Sequence, residues 1–355
     1  MKKTVFVSVA ICVIFATSIS CNYTNNYTYP TGHFPDEVIN FEEVNSEYDD
    51  YNSDLPTVGS THHFQFSSNR NSQGGNFDIV CEELFIQWNR DNGQFTMDET
   101  EADDFFGFIW SVIDSVNTPF DEFGPYSVFY YTGMEDTTGL YTYLLMYANN
   151  SSGDFDIRFL TYSFFQGAHS QWGTEMTPSE EIDWLNSDSD DLYPTFYGED
   201  FEYNDLSSLD VSEIQKILFC SNRDGDFNLY EVEVPSGSLI TSTLASDVVN
   251  EPVRLSINSA YDDKCPYVNG KLLVFTSNRP GGYGGLDLYY SVMTDGNWSE
   301  PVNFGEGINT AYDEYRPITY SEDRFDNNLL IFSSNRPGGK GGFDLYYMGI
   351  PQMIK

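Results

Sequence analysis

Leu272-Leu-Val-Phe-Thr-Ser-Asn-Arg-Pro-Gly-Gly-Tyr-Gly-Gly-Leu-Asp-Leu-Tyr-Tyr290 is followed 57 residues later by Leu329-Leu-Ile-Phe-Ser-Ser-Asn-Arg-Pro-Gly-Gly-Lys-Gly-Gly-Phe-Asp-Leu-Tyr-Tyr347. A self-match of this length is an internal repeat. Each copy is an apolar β-rich run, a Gly-rich turn and a second β-rich run, which reads as a hairpin. Weaker copies stand at Phe64–Arg70 with Phe77-Asp78-Ile79, at Leu144–Asn150 with Phe155-Asp156-Ile157, and at Ile217–Arg223 with Phe227-Asn228-Leu229. The hairpin therefore occurs five times.

A second motif precedes each hairpin and sets the repeat boundaries. Asn117-Thr-Pro-Phe-Asp121-Glu122-Phe-Gly-Pro125, Asn186-Ser-Asp-Ser-Asp190-Asp191-Leu-Tyr-Pro194, Asn258-Ser-Ala-Tyr-Asp262-Asp263-Lys-Cys-Pro266 and Asn309-Thr-Ala-Tyr-Asp313-Glu314-Tyr-Arg-Pro317 share one pattern. The first copy, Asn45-Ser-Glu-Tyr-Asp49-Asp50, reaches Pro56 two residues late. Strand a is expected after the acidic pair, strands b and c form the hairpin, and strand d follows, best seen at Trp298-Ser-Glu-Pro-Val-Asn-Phe304.

Four antiparallel strands repeated five times predict an all-β, five-bladed β-propeller over residues 34–355, because a blade buries its two faces only against neighbours in a ring. The last copy stops at Lys355 without a strand d. Residues 36–44 resemble Glu300-Pro-Val-Asn-Phe304, so the N-terminal strand is expected to close the last blade and remove an unpaired edge.

The string Ser-Asn-Arg-Pro-Gly-Gly-x-Gly-Gly-x-Asp-Leu-Tyr-Tyr resembles the WD40-like PD40 repeat of TolB-type propellers, in the form common in Bacteroidetes envelope proteins. The last two copies match closely and the first three diverge. The resemblance implies partner binding or scaffolding in the envelope.

Repeat-structural roles are expected for Asn69, Asn149, Asn222, Asn278 and Asn335, for Arg70, Arg223, Arg279 and Arg336, and for Asp78, Asp156, Asp287 and Asp344. The guanidinium is expected to pin carboxylate or carbonyl oxygens in its own or the next blade. Aligned on the hairpin, Asn150 takes the place of Arg in the second copy and Asn228 that of Asp in the third, so those two blades are expected to be pinned less well. The acidic pairs Asp121/Glu122, Asp190/Asp191, Asp262/Asp263 and Asp313/Glu314, with Asp49/Asp50, would ring one mouth of the channel. There they are candidate ligands for Ca²⁺ or another cation. The competing reading is that one acid of each pair caps the turn into strand a, which repetition favours.

Aromatic residues make up 17% of the chain and suit strands. Lys and Arg number 16 against 55 Asp and Glu. Such an acidic chain is expected to exclude nucleic acid as a partner, since phosphate binding relies on basic residues. Cys81, Cys220 and Cys265 show no metal-ligand spacing and are expected as buried free thiols, with Cys220 and Cys265 the better pair if one disulfide forms.

Lys2 and Lys3 precede an apolar run from Val5 to Phe15, a targeting segment too short to span a membrane permanently. It ends in Ser18-Ile19-Ser20-Cys21, which resembles a bacterial lipobox with Cys21 as the lipidated residue. Residues 1–20 are thus expected as a lipoprotein signal and 21–33 as a flexible tether. The chain would be an outer-membrane lipoprotein, held to the membrane through lipid and facing the periplasm or cell surface.

Four histidines, and no G-x-S-x-G, H-E-x-x-H or P-loop string, leave nucleophilic and zinc catalysis without support. An envelope-anchored protein-binding or scaffolding module is the main reading, and the partner is expected to be an envelope protein or a glycan. The alternative is a carbohydrate-binding or glycoside-hydrolase-like propeller that uses channel carboxylates. Departures from the repeat address a partner, and two stand out: the acidic 198–212, and 82–116 with Trp88, Phe105, Phe106, Phe108 and Trp110 as a candidate contact surface. For 82–116 the competing reading is an elongated strand d and core of the first blade.

Overall fold

Strand a of every blade begins on the second acid of the motif, and the rest of the blade follows as a meander. The computed structural model describes residues 30–353, apart from 59–60, 100–106, 133–139, 167–170, 199–200, 202–210, 238 and 247–249. After β1 (Ile39–Asn40), blade 1 comprises β2 (Asp50–Asp54), β3 (Thr57–Val58), β4 (Thr61–Ser68), β5 (Asp78–Trp88) and β6 (Phe95–Glu99). Blade 2 comprises β7 (Glu122–Thr132), β8 (Leu140–Asn149), β9 (Asp156–Gln166), β10 (Gln171–Met176) and β11 (Glu180–Glu181). Blade 3 is β12 (Asp191–Tyr197), β13 (Lys216–Ser221), β14 (Asn228–Glu233) and β15 (Val253–Arg254). Blade 4 is β16 (Asp263–Asn269), β17 (Leu272–Ser277), β18 (Asp287–Thr294), β19 (Asn297–Trp298) and β20 (Val302–Asn303). Blade 5 is β21 (Glu314–Tyr320), β22 (Asn328–Ser334), β23 (Asp344–Ile350) and, from the other end of the chain, β1.

The five-bladed ring is therefore closed by the N-terminal strand. Ile39 pairs with Tyr347 and Asn40 with Tyr346, antiparallel, as Val302 and Asn303 pair with Tyr290 and Tyr289 in blade 4. The two strands are equivalent down to one side chain. Asn40 Nδ2 donates to Asp344 at 3.0 Å and Asn303 Nδ2 to Asp287 at 2.8 Å.

Strand a carries the same irregularity in all five blades. The register slips after Tyr51, Phe123, Leu192, Lys264 and Tyr315. The next residue, Asn52, Gly124, Tyr193, Cys265 or Arg316, has φ between 45° and 62°. This is a β-bulge, and the residue after it is Pro in four copies. In blade 1 that place belongs to Ser53, so Pro56 is not the counterpart of the other prolines.

The insertion at 82–116 supplies an extended β5–β6 hairpin and the helix α1 (Phe108–Val116). Phe108, Ile109, Val112, Ile113 and Val116 are buried against Ile79, Cys81, Tyr143, Leu145 and Phe164, which caps the outer space between blades 1 and 2. An apolar stripe of this width must be buried for the helix to persist. Cys81, Cys220 and Cys265 are free and buried. Among the described residues no helix is long and apolar enough to cross a membrane.

Candidate binding face

Two faces follow from the strand directions. Strand a runs from the acidic motif, at what is here called the mouth, to the a–b turns on the opposite turn face. The b–c turns return to the mouth and the c–d turns lie with the a–b turns.

At the mouth the leading Asn and the first acid of the motif stitch one blade to the next. The leading Asn bonds both backbone groups of strand c in the preceding blade: Asn117 with Ile79, Asn186 with Ile157, Asn258 with Leu229, Asn309 with Leu288 and Asn45 with Leu345, all at 2.7–3.0 Å. The first acid accepts a backbone N–H from the residue that enters strand c of that preceding blade. Asp121 takes it from Phe77, Asp190 from Phe155, Asp262 from Phe227, Asp313 from Leu286 and Asp49 from Phe343.

The second acid, wholly buried in every copy, is held by the Arg of its own hairpin. Arg70 meets Asp50 at 2.7 Å, Arg223 Asp191 at 2.6 Å, Arg279 Asp263 at 2.6 Å and Arg336 Glu314 at 3.0 Å. Each guanidinium also donates to a carbonyl of the incoming chain, at Val44, Leu185, Ile257 or Ile308, and lies over Phe66, Phe219, Phe275 or Phe332. The same acids accept backbone N–H groups from Ser46, Ser187, Ser259 and Thr310. A carboxylate with a cation and a backbone donor is satisfied where it stands.

Blade 2 differs, and its alignment changes. Asn149 pairs with Glu122 as Ser68 pairs with Asp50, and Asn150 bonds Asp121 as Asn222 bonds Asp190. Asn149 therefore stands at the Ser position, Asn150 at the Asn position, and Ser151, not Asn150, at the Arg position. One more residue fits on strand b than the sequence alignment assumed. In place of an Arg, Asn149 and Thr118 donate to Glu122, and burial raises its pKa to about 7. Blade 3 keeps its Arg223–Asp191 pair despite Asn228, whose Nδ2 donates to the Asp226 carbonyl.

The strand c acids serve the hairpin turn. Asp287 accepts from the N–H groups of Tyr283 and Gly284, and Asp344 from those of Lys340 and Gly341. Asp78 accepts from Asn71, and Asp156 from Ser152. The Gly-Gly-x-Gly-Gly strings let these turns lie on the next blade: a Cβ at Gly284 would strike the Tyr312 carbonyl, and one at Gly341 the Tyr48 carbonyl.

The acidic pairs thus face partners within and between blades. Among the described residues no group of three or more His, Cys, Asp or Glu converges to hold a metal. Burial, rather than mutual repulsion, is the chief cause of the raised pKa values of Glu122 and Glu314.

The five bulge residues meet on the axis just beneath the mouth. Tyr193 donates to Asn52 at 3.2 Å, stands 3.4 Å from the Tyr315 hydroxyl, packs where a Cβ on Gly124 would be and lies under the Arg316 guanidinium at 5.2 Å. Arg316 is fully buried and donates to the Pro266 carbonyl at 2.8 Å. No carboxylate is among these five residues. Farther in, Asp54 is wholly buried, accepts from Ser127, and has its pKa raised by burial to about 7.

Above this plug lies a half-buried collar. Tyr51 contacts Phe77, Phe123, Tyr315 and Phe343 at centroid distances of 5.0–6.1 Å, Phe123 stacks on Phe155, and Lys264 covers Phe227. These residues follow the acidic pairs or enter the c strands, so the repeat itself builds the collar. Outside it stand Phe120, Tyr261 and Tyr312, each preceding the first acid of its blade, and Tyr283 on a b–c turn, 44–49% exposed. The sequence pattern placed an aromatic before the acid in four copies, but its exposure is a property of the fold.

Of the aromatic residues expected as a contact surface at 82–116, the described Trp88 and Trp110 lie apart. Phe105 and Phe106 lie outside the described residues, as do Cys21 and most of 198–212. Trp110 packs against the helix core of blades 1 and 2. Trp88 lies on the turn face, donating to the Pro30 carbonyl at 3.1 Å, beneath Arg324 and beside Phe325. The competing reading of 82–116, added core, is what the described part of this segment forms.

No family model and no curated protein matches the sequence. Among solved structures the chain is similar to the catalytic domain of a GH62 α-L-arabinofuranosidase from Coprinopsis cinerea, with 10% identity, 90% of this chain and 97% of that one covered, and TM-score 0.47. It is similar to a glycosyl hydrolase from Bacteroides ovatus at 9% identity, with 92% and 95% covered and TM-score 0.45. It is similar to a protein described as TolB from Agrobacterium tumefaciens at 11% identity, with 78% and 87% covered and TM-score 0.33. These are likenesses of fold, and the assignment of five blades rests on the strand pairing itself.

Proposed function

We propose that this chain is an exported carbohydrate-binding propeller, anchored through lipid on Cys21, that receives its ligand on the mouth face. One observation carries the reading: among the described residues the large apolar side chains exposed at the mouth, Phe120, Tyr261, Tyr283 and Tyr312, are all aromatic, whereas those exposed elsewhere are mixed and include Ile39, Val253 and Val302 beside Phe85 and Tyr131. Flat exposed rings suit the apolar faces of sugar rings. The motif carboxylates are engaged within and between blades, and the residues on the axis just beneath the mouth, Asn52, Gly124, Tyr193, Cys265 and Arg316, close it above the buried Asp54. Both features favour binding over hydrolysis.

Calorimetric titration of the mature chain with soluble polysaccharides tests the reading. Replacing Tyr261 and Tyr312 together by Ala is expected to weaken binding at least tenfold with an unchanged melting temperature. A protein partner captured through the same residues, with no polysaccharide bound, would replace the glycan by a protein ligand and overturn the reading.

A further inference from the structure

Residues 30–33, expected as the end of a free tether, are docked on the turn face. Gly32 N donates to the Arg324 carbonyl at 2.7 Å, and Asp326 N returns to the Gly32 carbonyl at 3.1 Å. His33 bonds Asp326 at 2.6 Å and Asp36 at 3.1 Å, and its pKa is raised, chiefly by the Asp326 bond and further by Asp36, against burial, which lowers it. Phe34 is fully buried, stacks on Phe325 at 4.1 Å and exchanges both backbone bonds with the Asn327 side chain. Gly32 is required here because a Cβ would enter the Phe325 ring. Phe325 lies in the a–b turn of blade 5, and Gln94, bridged to His33, in the c–d turn of blade 1. Both turns are on the face opposite the aromatic mouth.

From this geometry we infer that the strap formed by residues 30–34 fixes how the propeller stands on the membrane that holds it. The turn face meets the lipid surface and the aromatic mouth points away. The inference rests on Cys21 as the attachment point. Nine peptide bonds separate Cys21 from Pro30, a length of chain that spans at most about 31 Å. An inner strand such as β21, seven residues long, rises about 23 Å. To bring the mouth down to the headgroups, this length of chain would have to run largely extended along the side of a blade.

The strap is tested apart from native lipidation by coupling the mature chain through Cys21 to a maleimide lipid in phosphatidylcholine vesicles that carry a headgroup quencher. A fluorophore clicked onto a non-natural residue at position 271, on the turn face, is expected to be quenched at least threefold more than one at position 312, on the mouth. Equal quenching, or stronger quenching at 312, would overturn the inference. In Gly32→Val, which displaces the strap, the difference between the two positions is expected to shrink; its persistence would show that the strap does not set the orientation. Mass analysis of the N-terminal peptide of the exported protein decides separately whether Cys21 carries lipid, so failure of the anchor and failure of the strap are read apart.

Discussion

Asn45 Oδ1 accepts the Leu345 N–H at 2.8 Å while its Nδ2 donates to the Leu345 carbonyl at 2.9 Å, joining residues 300 positions apart. The same two-bond clasp closes each of the other four blade junctions, but only here does it join the two ends of the chain. Asn45→Ala and Asn258→Ala lose the same bonds, each worth about 1–2 kcal/mol. Hydrogen exchange is expected to accelerate across β1 and β23 in Asn45→Ala and to stay local to β14 in Asn258→Ala. Equal, local effects would count against a seam that limits stability.

Removing residues 34–44 deletes β1 and buried Phe34, Phe41 and Val44. It exposes the β23 edge as well. The melting temperature is expected to fall by ten degrees or more, at about 4 °C or less per kcal/mol for a chain of this size. An unchanged melting temperature would show that closure contributes nothing.

Gly124 has φ 60° and the Tyr193 ring where a Cβ would stand, whereas Gly296 has φ 76° and open space. Ala at Gly296 is expected to cost about 1–2 kcal/mol for backbone strain alone. Ala at Gly124 adds displacement of the axial tyrosine and is expected to cost at least twice as much. Urea denaturation midpoints compare the two.

Glu122 is the second acid without an arginine. Its pKa, raised by burial from 4.5 to about 7, means that the folded protein holds a proton that the unfolded chain releases. The stabilisation is full below about pH 4.5 and is lost as pH rises through about 7. Asn149→Ser combined with Ser151→Arg rebuilds the Arg–acid pair of the other blades. The variant is expected to gain stability at pH 8 relative to pH 4.5, and a difference from wild type independent of pH would refute the pairing.

His62 and His63 are buried on β4, and burial lowers both pKa values from 6.5 to about 4. The unfolded chain binds protons that the folded one excludes, so their contribution is intact above about pH 6.5 and is lost as pH falls through about 4. His62→Phe with His63→Gln is expected to flatten the decline in stability over that window. An unaltered slope would assign the acid sensitivity to other groups.

The two full repeats, with the weaker copies and the recurring acidic motif, were enough to read blade number, strand order and closure by residues 36–44, because those features depend on local period and on which β-rich run lacks a partner. Asn40 and Asn303 show how far this reached: the likeness of their segments was visible in the chain, and each bonds the strand c Asp of its blade. Blade 2 shows where it stopped. Asn149-Asn150 aligns equally well in two registers, and the choice between them follows from the pairing of Asn149 with Glu122.

The role of the acids was open in the sequence for a related reason. Asp49/Asp50 and their counterparts are adjacent in the chain, yet one reaches back to a neighbouring blade and the other turns inward to an arginine. A ring of acids around a mouth and a set of interblade stitches share one sequence pattern. They differ only in which donor each carboxylate meets. Repetition and alternation, which are properties of the chain itself, determined the ring. Register, the axial plug of Tyr193 and Arg316, the exposure of Phe120, Tyr261 and Tyr312, and the docking of Gly32 were decided only when segments far apart in sequence came into contact, since each depends on the neighbour found across a blade boundary.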